Sequence, residues 1–172
     1  MLNVHTYQPS VIVPAAGLSR RMGRWKLGMR YNGESLLSRA LLLARRVSPQ
    51  VILVAGRYRQ QTEALARGFP GVITILNSWY AEGLFSSIQR AVPYVKGFGA
   101  YILLPDLPLL TADHFFFFFL DGSCDAARFT FSGTPAHPVY LSPRVLWRAR
   151  SFPVRGAMQD VLQLYDVRAI DT

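Results

Sequence analysis

The chain has 172 residues, enough for one domain with a sizeable core, and its composition of 51% hydrophobic and 17% charged residues excludes a disordered chain. A net charge of +9, with 17 of the 19 basic residues being arginine, suits an anionic partner: a nucleotide, a nucleic acid or an acidic protein surface. Cys124 is the sole cysteine, which excludes an internal disulfide and a multi-cysteine metal site, and neither the polar N-terminus nor the short apolar run Phe115 to Leu120 reads as a signal peptide or a membrane span, so the expectation is a soluble, cytoplasmic protein.

Val11 to Val13 is a short β-branched run, read as a buried first strand that Pro14 ends. Residues 15 to 33 then carry little apolar periodicity. A loop that long in a compact domain is usually functional or disordered, and its glycines and charge favour function. It opens on Ala15-Ala16-Gly17, carries Arg20, Arg21 and Arg24 around Gly23, and reaches Lys26. After a first strand, such a loop is where an α/β protein holds an anion, with phosphate the best candidate.

Ser35 to Val47 reads as a helix: Leu36, Leu37, Ala40, Leu41, Leu43 and Ala44 form its apolar stripe, and Arg39, Arg45 and Arg46 face out. Val51 to Ala55 is a second strand, broken by Gly56. Gln60 to Arg67 is a short helix and Val72 to Leu76 a third strand. Gly83 to Val95 is a helix in which Ser86 and Ser87 read as caps; Trp79, just before it, reads as core. Ala100 to Leu104 is a fourth strand, stopped by Pro105-Asp106-Leu107-Pro108. Thr111 to Leu120 starts as a helix with Thr111 as N-cap and Asp113 in the first turn. The five phenylalanines Phe115 to Phe119 make it apolar all round, which means either a core helix or a contact between copies of the chain in a homo-oligomer. Ala126 to Ser132 and Pro138 to Leu141 read as strands joined through Gly133 to His137. Pro143 to Arg150 and Gly156 to Tyr165 read as helices, and Val167 to Ile170 as a last strand.

Alternating strands and helices argue for an α/β fold, with a parallel sheet covered on both faces. No linker or repeat interrupts residues 1–172, which read as a single domain. In such a sheet the ligand sits off the carboxyl ends of the strands where the strand order reverses. Strands one and four are neighbours there if the sheet is doubly wound. That topology brings Arg21, Lys26 and Asp106 to one crevice, although 80 residues separate the lysine from the aspartate. The loop has neither the lysine position of a Walker A loop nor the glycine spacing of a dinucleotide fingerprint. What remains suits a triphosphate lying along backbone N–H groups at Ala15, Ala16 and Gly17. Asp106 then serves as a ligand for Mg²⁺, an ion commonly held by one or two carboxylates plus substrate phosphates.

The stretch Ala15-Ala16-Gly17-x-Ser19-x-Arg21-Met22-Gly23-x-x-Lys26 resembles the signature A-A-G-x-S-x-R-M-G-x-x-K. The signature belongs to the nucleotidyltransferase family of molybdenum cofactor cytidylyltransferase and the related guanylyltransferase, the MobA-like NTP transferases. Further segments resemble that family in order: Leu27 to Leu42; Asn77-Ser-Trp-Tyr-Ala-Glu-Gly-Leu-Phe-Ser-Ser-Ile; Pro105-Asp106-Leu107-Pro108; and Gly133 to Val139. The resemblance implies a Rossmann-like, three-layer sandwich of the nucleotide-diphospho-sugar-transferase type. It implies a nucleotide half at about 10–110 and an acceptor half at about 111–172. It implies that Ala15, Ala16, Gly17, Ser19 and Gly23 bind the nucleotide, with Arg21 and Lys26 on its phosphates. Gly83, Ser86 and Ser87 would line the base and sugar pocket, Asp106 would hold Mg²⁺, and His137 would lie on the acceptor side. The Ala-Ala-Gly form resembles cytidylyl members and favours CTP over GTP. The implied reaction moves CMP to a phosphate-bearing acceptor of molybdopterin type and releases pyrophosphate, and it makes a molybdoenzyme a candidate partner.

The bland readings are a turn role for Asp106 and a hydrogen-bonded, functionless buried His137. The chain also departs from the family pattern. Pro105 replaces the glycine before the aspartate, Ala136 replaces the glycine before His137, and the late G-D-x-G-A-R segment is here Pro153-Val154-Arg155-Gly156-Ala157-Met158. The alternatives are an NTP-binding accessory protein without turnover, a nicotinamide-dependent oxidoreductase on a similar sheet, and a basic nucleic-acid-binding module. The last two lack their fingerprints.

Overall fold

The computed structural model describes residues 8–116, 118 and 124–171, without the side chains of Arg21 and Phe116. Strand β1, Ser10–Ala15, is buried along its length. It runs through Pro14, which was expected to end it. The reason lies in which edge the proline faces. The Ser10 N–H donates to Gly99 O and Ile12 O accepts from the Leu103 N–H, so even-numbered residues address the neighbour on the 99–103 side. That neighbour, β6 (Ala100–Ile102), pairs only with Ser10, Val11 and Ile12. Pro14 therefore lacks its donor where no partner strand needs one.

The loop after β1 closes with a small hairpin, β2 (Arg30–Tyr31) and β3 (Glu34–Ser35), where only loop was expected. Asn32 and Gly33 both sit at positive φ, 51° and 85°, the backbone a two-residue Asn-Gly turn requires. Helix α1, Leu36–Val47, starts at once: the Ser35 hydroxyl accepts the Ser38 N–H at 3.0 Å, and Leu37, Ala40, Leu41 and Ala44 form its buried stripe. Then come β4 (Val51–Ala55), α2 (Arg59–Ala66), β5 (Val72–Leu76) and α3 (Leu84–Ala91). After β6, α4 is only Asp113–Phe116. Thr111 does not cap it; its hydroxyl and N–H both engage His114 Nδ1, at 2.9 and 3.1 Å. Phe115 and Phe118 are core residues, packed on Tyr101 and Phe129. Phe117, Phe119 and Leu120, the rest of the expected helix, lie outside the described residues.

The C-terminal part supplies β7 (Ala126–Phe131), β8 (Thr134–Leu141), α5 (Pro143–Ser151), α6 (Met158–Leu162) and β9 (Val167–Asp171). β8 is longer than its prolines suggest. β6 pairs only with Val139–Leu141, so Pro135 and Pro138 stand where one edge of β8 is open. His137 and Pro138 are also extra residues in the β7 pairing, which steps from Arg128–Val139 to Phe129–Ala136.

The seven strands form one mostly parallel sheet in the order β5-β4-β1-β6-β8-β7-β9, with β8 antiparallel to both neighbours. Alternation along the strands splits the core in two. Val11, Val13, Val51 and Leu53 pack with Leu37, Leu41 and Phe115 on one face. Ile12, Ile52 and Val54 pack with Phe85, Ile88, Val145, Leu146 and Val161 on the other. The result is an α/β sandwich of three layers. Among the described residues no helix is long and apolar enough to cross a membrane.

Candidate active site

The order of the sheet reverses between β1 and β6, and both strands send their following loops to the same end. From β1 the chain passes through Ala16, which is 3% exposed, to exposed Gly17. Ser19 turns the chain through a left-handed residue (φ 48°), and a 3-10 turn, Arg20–Met22, follows. The Ser19 hydroxyl then accepts the backbone N–H of Lys26 at 3.2 Å, which ties the loop across its own base. From β6 the chain turns through buried Pro105 to Asp106. Lys26 Nζ lies 2.7 Å from Asp106 Oδ2, with side chains 40% and 35% exposed. Two residues 80 positions apart thus form a half-solvated ion pair at the mouth of the crevice.

A cavity of about 340 Å³ opens along the first residues of the same loop, lined by Ala16, Gly17, Leu18, Tyr80, Gly83 and Ser87 among others. Of the residues singled out in the sequence, Ala16, Gly17, Gly83 and Ser87 share it. Ser86 lines a different cavity. Ala15 points into the core on the α1 face, and Gly23 stands exposed in the loop. The backbone of Arg21 lies in the 3-10 turn next to the loop apex.

Ser86 and Ser87 are not caps. Gly83 occupies the N-cap of α3 with φ 98°, which favours a residue without Cβ, and the serines lie one turn in, 4% and 3% exposed. Buried Asn77 explains them. Its Nδ2 donates to both hydroxyls, at 2.9 and 3.1 Å, and its Oδ1 accepts the Trp79 N–H at 2.9 Å. The Ser86 hydroxyl passes its own proton to Gly83 O at 2.7 Å. Asn77 therefore clamps the 77–83 loop to α3, and so fixes one wall of the cavity. Sequence reasoning missed this role, although an Asn directly after an apolar strand and nine residues before paired serines is a usable signal. Trp79, read as core, is 61% exposed because the clamp turns its backbone, not its ring, inward.

His137 sits in the β8 irregularity near Asp106. Burial holds its imidazole below the ordinary histidine range, and contact with the Ile102 backbone and the Asp106 charge oppose this only in part. Its Nδ1 is buried with no hydrogen-bond partner among the described residues. A neutral imidazole with an open nitrogen thus stands behind the ion pair. No described cluster of three or more His, Cys, Asp or Glu residues forms a metal site. Asp106 offers one carboxylate.

A glycine loop, a cation tied to a carboxylate across the switch point, and a cavity between the loop and α3 together describe a place for a nucleotide. Residues 11–169 match the MobA-like NTP transferase domain. The chain belongs to this family. It is a nucleotidyltransferase, which displaces the oxidoreductase alternative. It is 29% identical over 160 residues to molybdenum cofactor cytidylyltransferase of Escherichia coli strain K12, covering 93% of this chain and 83% of that one. Rv0371c from Mycobacterium tuberculosis H37Rv has the same fold, with a TM-score of 0.83 at 20% identity over 97% of this chain and 89% of that one. The complex of Rv0371c with manganese gives a TM-score of 0.74 at 21% identity over the same shares of the two chains.

Proposed function

We propose that this MobA-like transferase moves CMP from CTP to a phosphate-bearing acceptor of molybdopterin type and releases pyrophosphate. The observation that carries the proposal is the meeting of Lys26 with Asp106 beside the Ala16–Gly17 loop. The name of the E. coli relative supports both the cytidylyl group and the acceptor class. Ala16 at the cavity wall, where guanylyl members tend to carry a glycine, supports CTP.

The reaction forms a bond between an acceptor phosphate oxygen and the α-phosphorus of CTP. The bond from that phosphorus to the β-phosphate bridging oxygen breaks, and its electron pair leaves with pyrophosphate. The nucleophile is already an anion, so no general base is required, and a neutral His137 agrees with that. Lys26 leaves Asp106 for the triphosphate, and Arg21 serves the same phosphates. Positioning along the loop and neutralisation of charge provide the acceleration.

Asp106 suits Mg²⁺, because a single half-exposed carboxylate leaves the remaining ligand positions to phosphate oxygens and water. A divalent ion bound there supplies further neutralisation of the phosphates. The manganese complex of Rv0371c supports the use of a divalent ion. In this reading residues of about 10–110 serve the nucleotide and those of about 111–172 the acceptor, with His137 on the acceptor side.

The test is a thermal-shift panel of CTP, GTP, ATP and UTP with Mg²⁺ on wild type and Asp106→Ala, followed by pyrophosphate release with molybdopterin. CTP should raise the wild-type melting temperature most, and the shift should shrink in the variant. Absence of any nucleotide shift in the wild type refutes the proposal. A shift without pyrophosphate release points instead to the accessory protein without turnover.

A further inference from the structure

A second cavity, of about 500 Å³, opens on the other side of the 77–79 segment. Trp79, Gln89, Arg90, Arg150, Phe152 and Val154 supply the chemistry of its walls. The volume is in the range of small-ligand sites.

Several of its walls present groups that the described residues leave open. Trp79 exposes most of its indole, and no described ring or cation stacks on it. Phe152, on the same cavity, is held edge-on by Phe85 at 6.3 Å and covered by the Arg148 guanidinium at 5.6 Å. Arg150 is oriented by stacking on Trp147 at 5.1 Å and has no carboxylate partner among the described residues. Arg90 is anchored through Nε to Leu76 O at 3.2 Å, which leaves its terminal nitrogens without a described acceptor. Gln89 Nε2 donates to Ala149 O and Phe152 O, at 2.9 and 2.7 Å, so its Oε1 is fixed and left to accept. The nearest acid, Glu82, lines an adjoining cavity and lies 4.0 Å from Arg155. Val154 stands where the family segment carries an aspartate, so that wall brings no negative charge.

A flat ring stacked on Trp79, an N–H donor for Gln89 and an anion for two arginines define one class of ligand. We propose that this cavity is a second binding site, for a nitrogen-containing aromatic ring that carries phosphate. It backs directly onto the first cavity. Ser86 lines one and Ser87 the other, and Asn77 bonds both hydroxyls. Asn77 is thus part of the wall that separates the two cavities. The inference stands on its own cavity and does not depend on the role given to Lys26.

The test is the stoichiometry of CTP, with Mg²⁺, by isothermal titration on wild type, Lys26→Ala, Trp79→Ala and Arg150→Ala. The residues at positions 79 and 150 are exposed, so their variants keep the fold, which circular dichroism checks. Two CTP per wild-type chain are expected, with one lost in Trp79→Ala and Arg150→Ala and the other lost in Lys26→Ala. A single wild-type site that survives in Trp79→Ala and Arg150→Ala overturns the second site and leaves the Lys26 reading intact. A single site lost in those two variants and kept in Lys26→Ala supports the second site and removes the Lys26 reading. Competition by inorganic phosphate as effective as that by CMP overturns the aromatic part of the inference.

Discussion

Gly56→Ala tests how tightly the fold holds the loop after β1. Gly56 follows β4, is buried and has no left-handed φ, so alanine is allowed by its own backbone. The conflict is with a neighbour. A Cβ there would stand 2.6 Å from Ala16 Cβ, 2.6 Å from Ala16 O and 2.8 Å from Ala16 Cα. These are backbone or backbone-bound atoms with no rotamer in which to escape. Ordinary contact begins at 3.4 Å, so Ala16 must retreat by about 0.8 Å, against the bond from the Arg57 N–H to Ala16 O. Overpacking of this kind costs about 1–3 kcal/mol. Because a displacement near 1 Å in a positioning element costs on the order of 100-fold in rate, nucleotidyl transfer should fall by one to two orders of magnitude. Gly68→Ala is the control, since its nearest neighbour, Leu65 O, is 3.5 Å away. It should be neutral or slightly stabilising. Ala16→Gly added to Gly56→Ala should restore part of the loss, because it removes the Cβ contact and leaves the carbonyl one. Urea unfolding and pyrophosphate release measure both effects. An unfolding midpoint and turnover of Gly56→Ala equal to wild type would refute the reasoning.

Asp106→Asn should change stability by less than about 1 kcal/mol, since its ion pair is more than a third exposed, yet lower transfer by at least about 100-fold; equal losses in both would assign Asp106 to structure. Burial keeps His137 below its ordinary value of 6.5, so the unfolded chain takes up a proton that the folded chain refuses in the window below that value. Stability is then complete above pH 6.5 and declines as pH falls through the window, and His137→Gln should flatten urea midpoints measured between pH 7.5 and 5. Asp106→Asn removes a charge that holds the His137 value up, so an NMR titration should find it lower still. Asn77→Leu leaves two buried hydroxyls and the Trp79 N–H without their partner, and should cost on the order of 3 kcal/mol in urea unfolding.

The parallel half of the sheet was legible because its strands are continuous β-branched runs and its helices carry clean apolar stripes. Val51–Ala55 and Val72–Leu76 were read to the residue. What escaped depended on partners. Pro14 looks like a terminator until the edge it faces is known, and Thr134 to His137 look like a connecting loop until β6 is seen to stop short of Pro135. The Asn32-Gly33 hairpin was written locally and passed over, since two-residue strands carry no period. Ser86 and Ser87 looked like caps because a lone sequence cannot show that Asn77 lies beneath them. At the candidate site, the order of strands was enough to bring the loops of Lys26 and Asp106 together. The 2.7 Å contact between them is a property of side chains, and so is the turned-out ring of Trp79.

Pairing between β1 and β6 stops at Ile12 and Ile102, while β1 and β4 remain zipped to Ala15 and Ala55. The sheet is therefore split at one end, like a board cut partway along its grain. Such a cut normally invites a stray peptide to add itself as a strand, because unpaired N–H groups line it. Here the residue at the cut is Pro14, which has no N–H to offer. That end of the sheet is thus barred to an added strand by the one residue type that cannot complete a ladder. Pro14→Val, which keeps a β-former and returns the donor, would leave the fold in place and make the opening sticky toward its own kind.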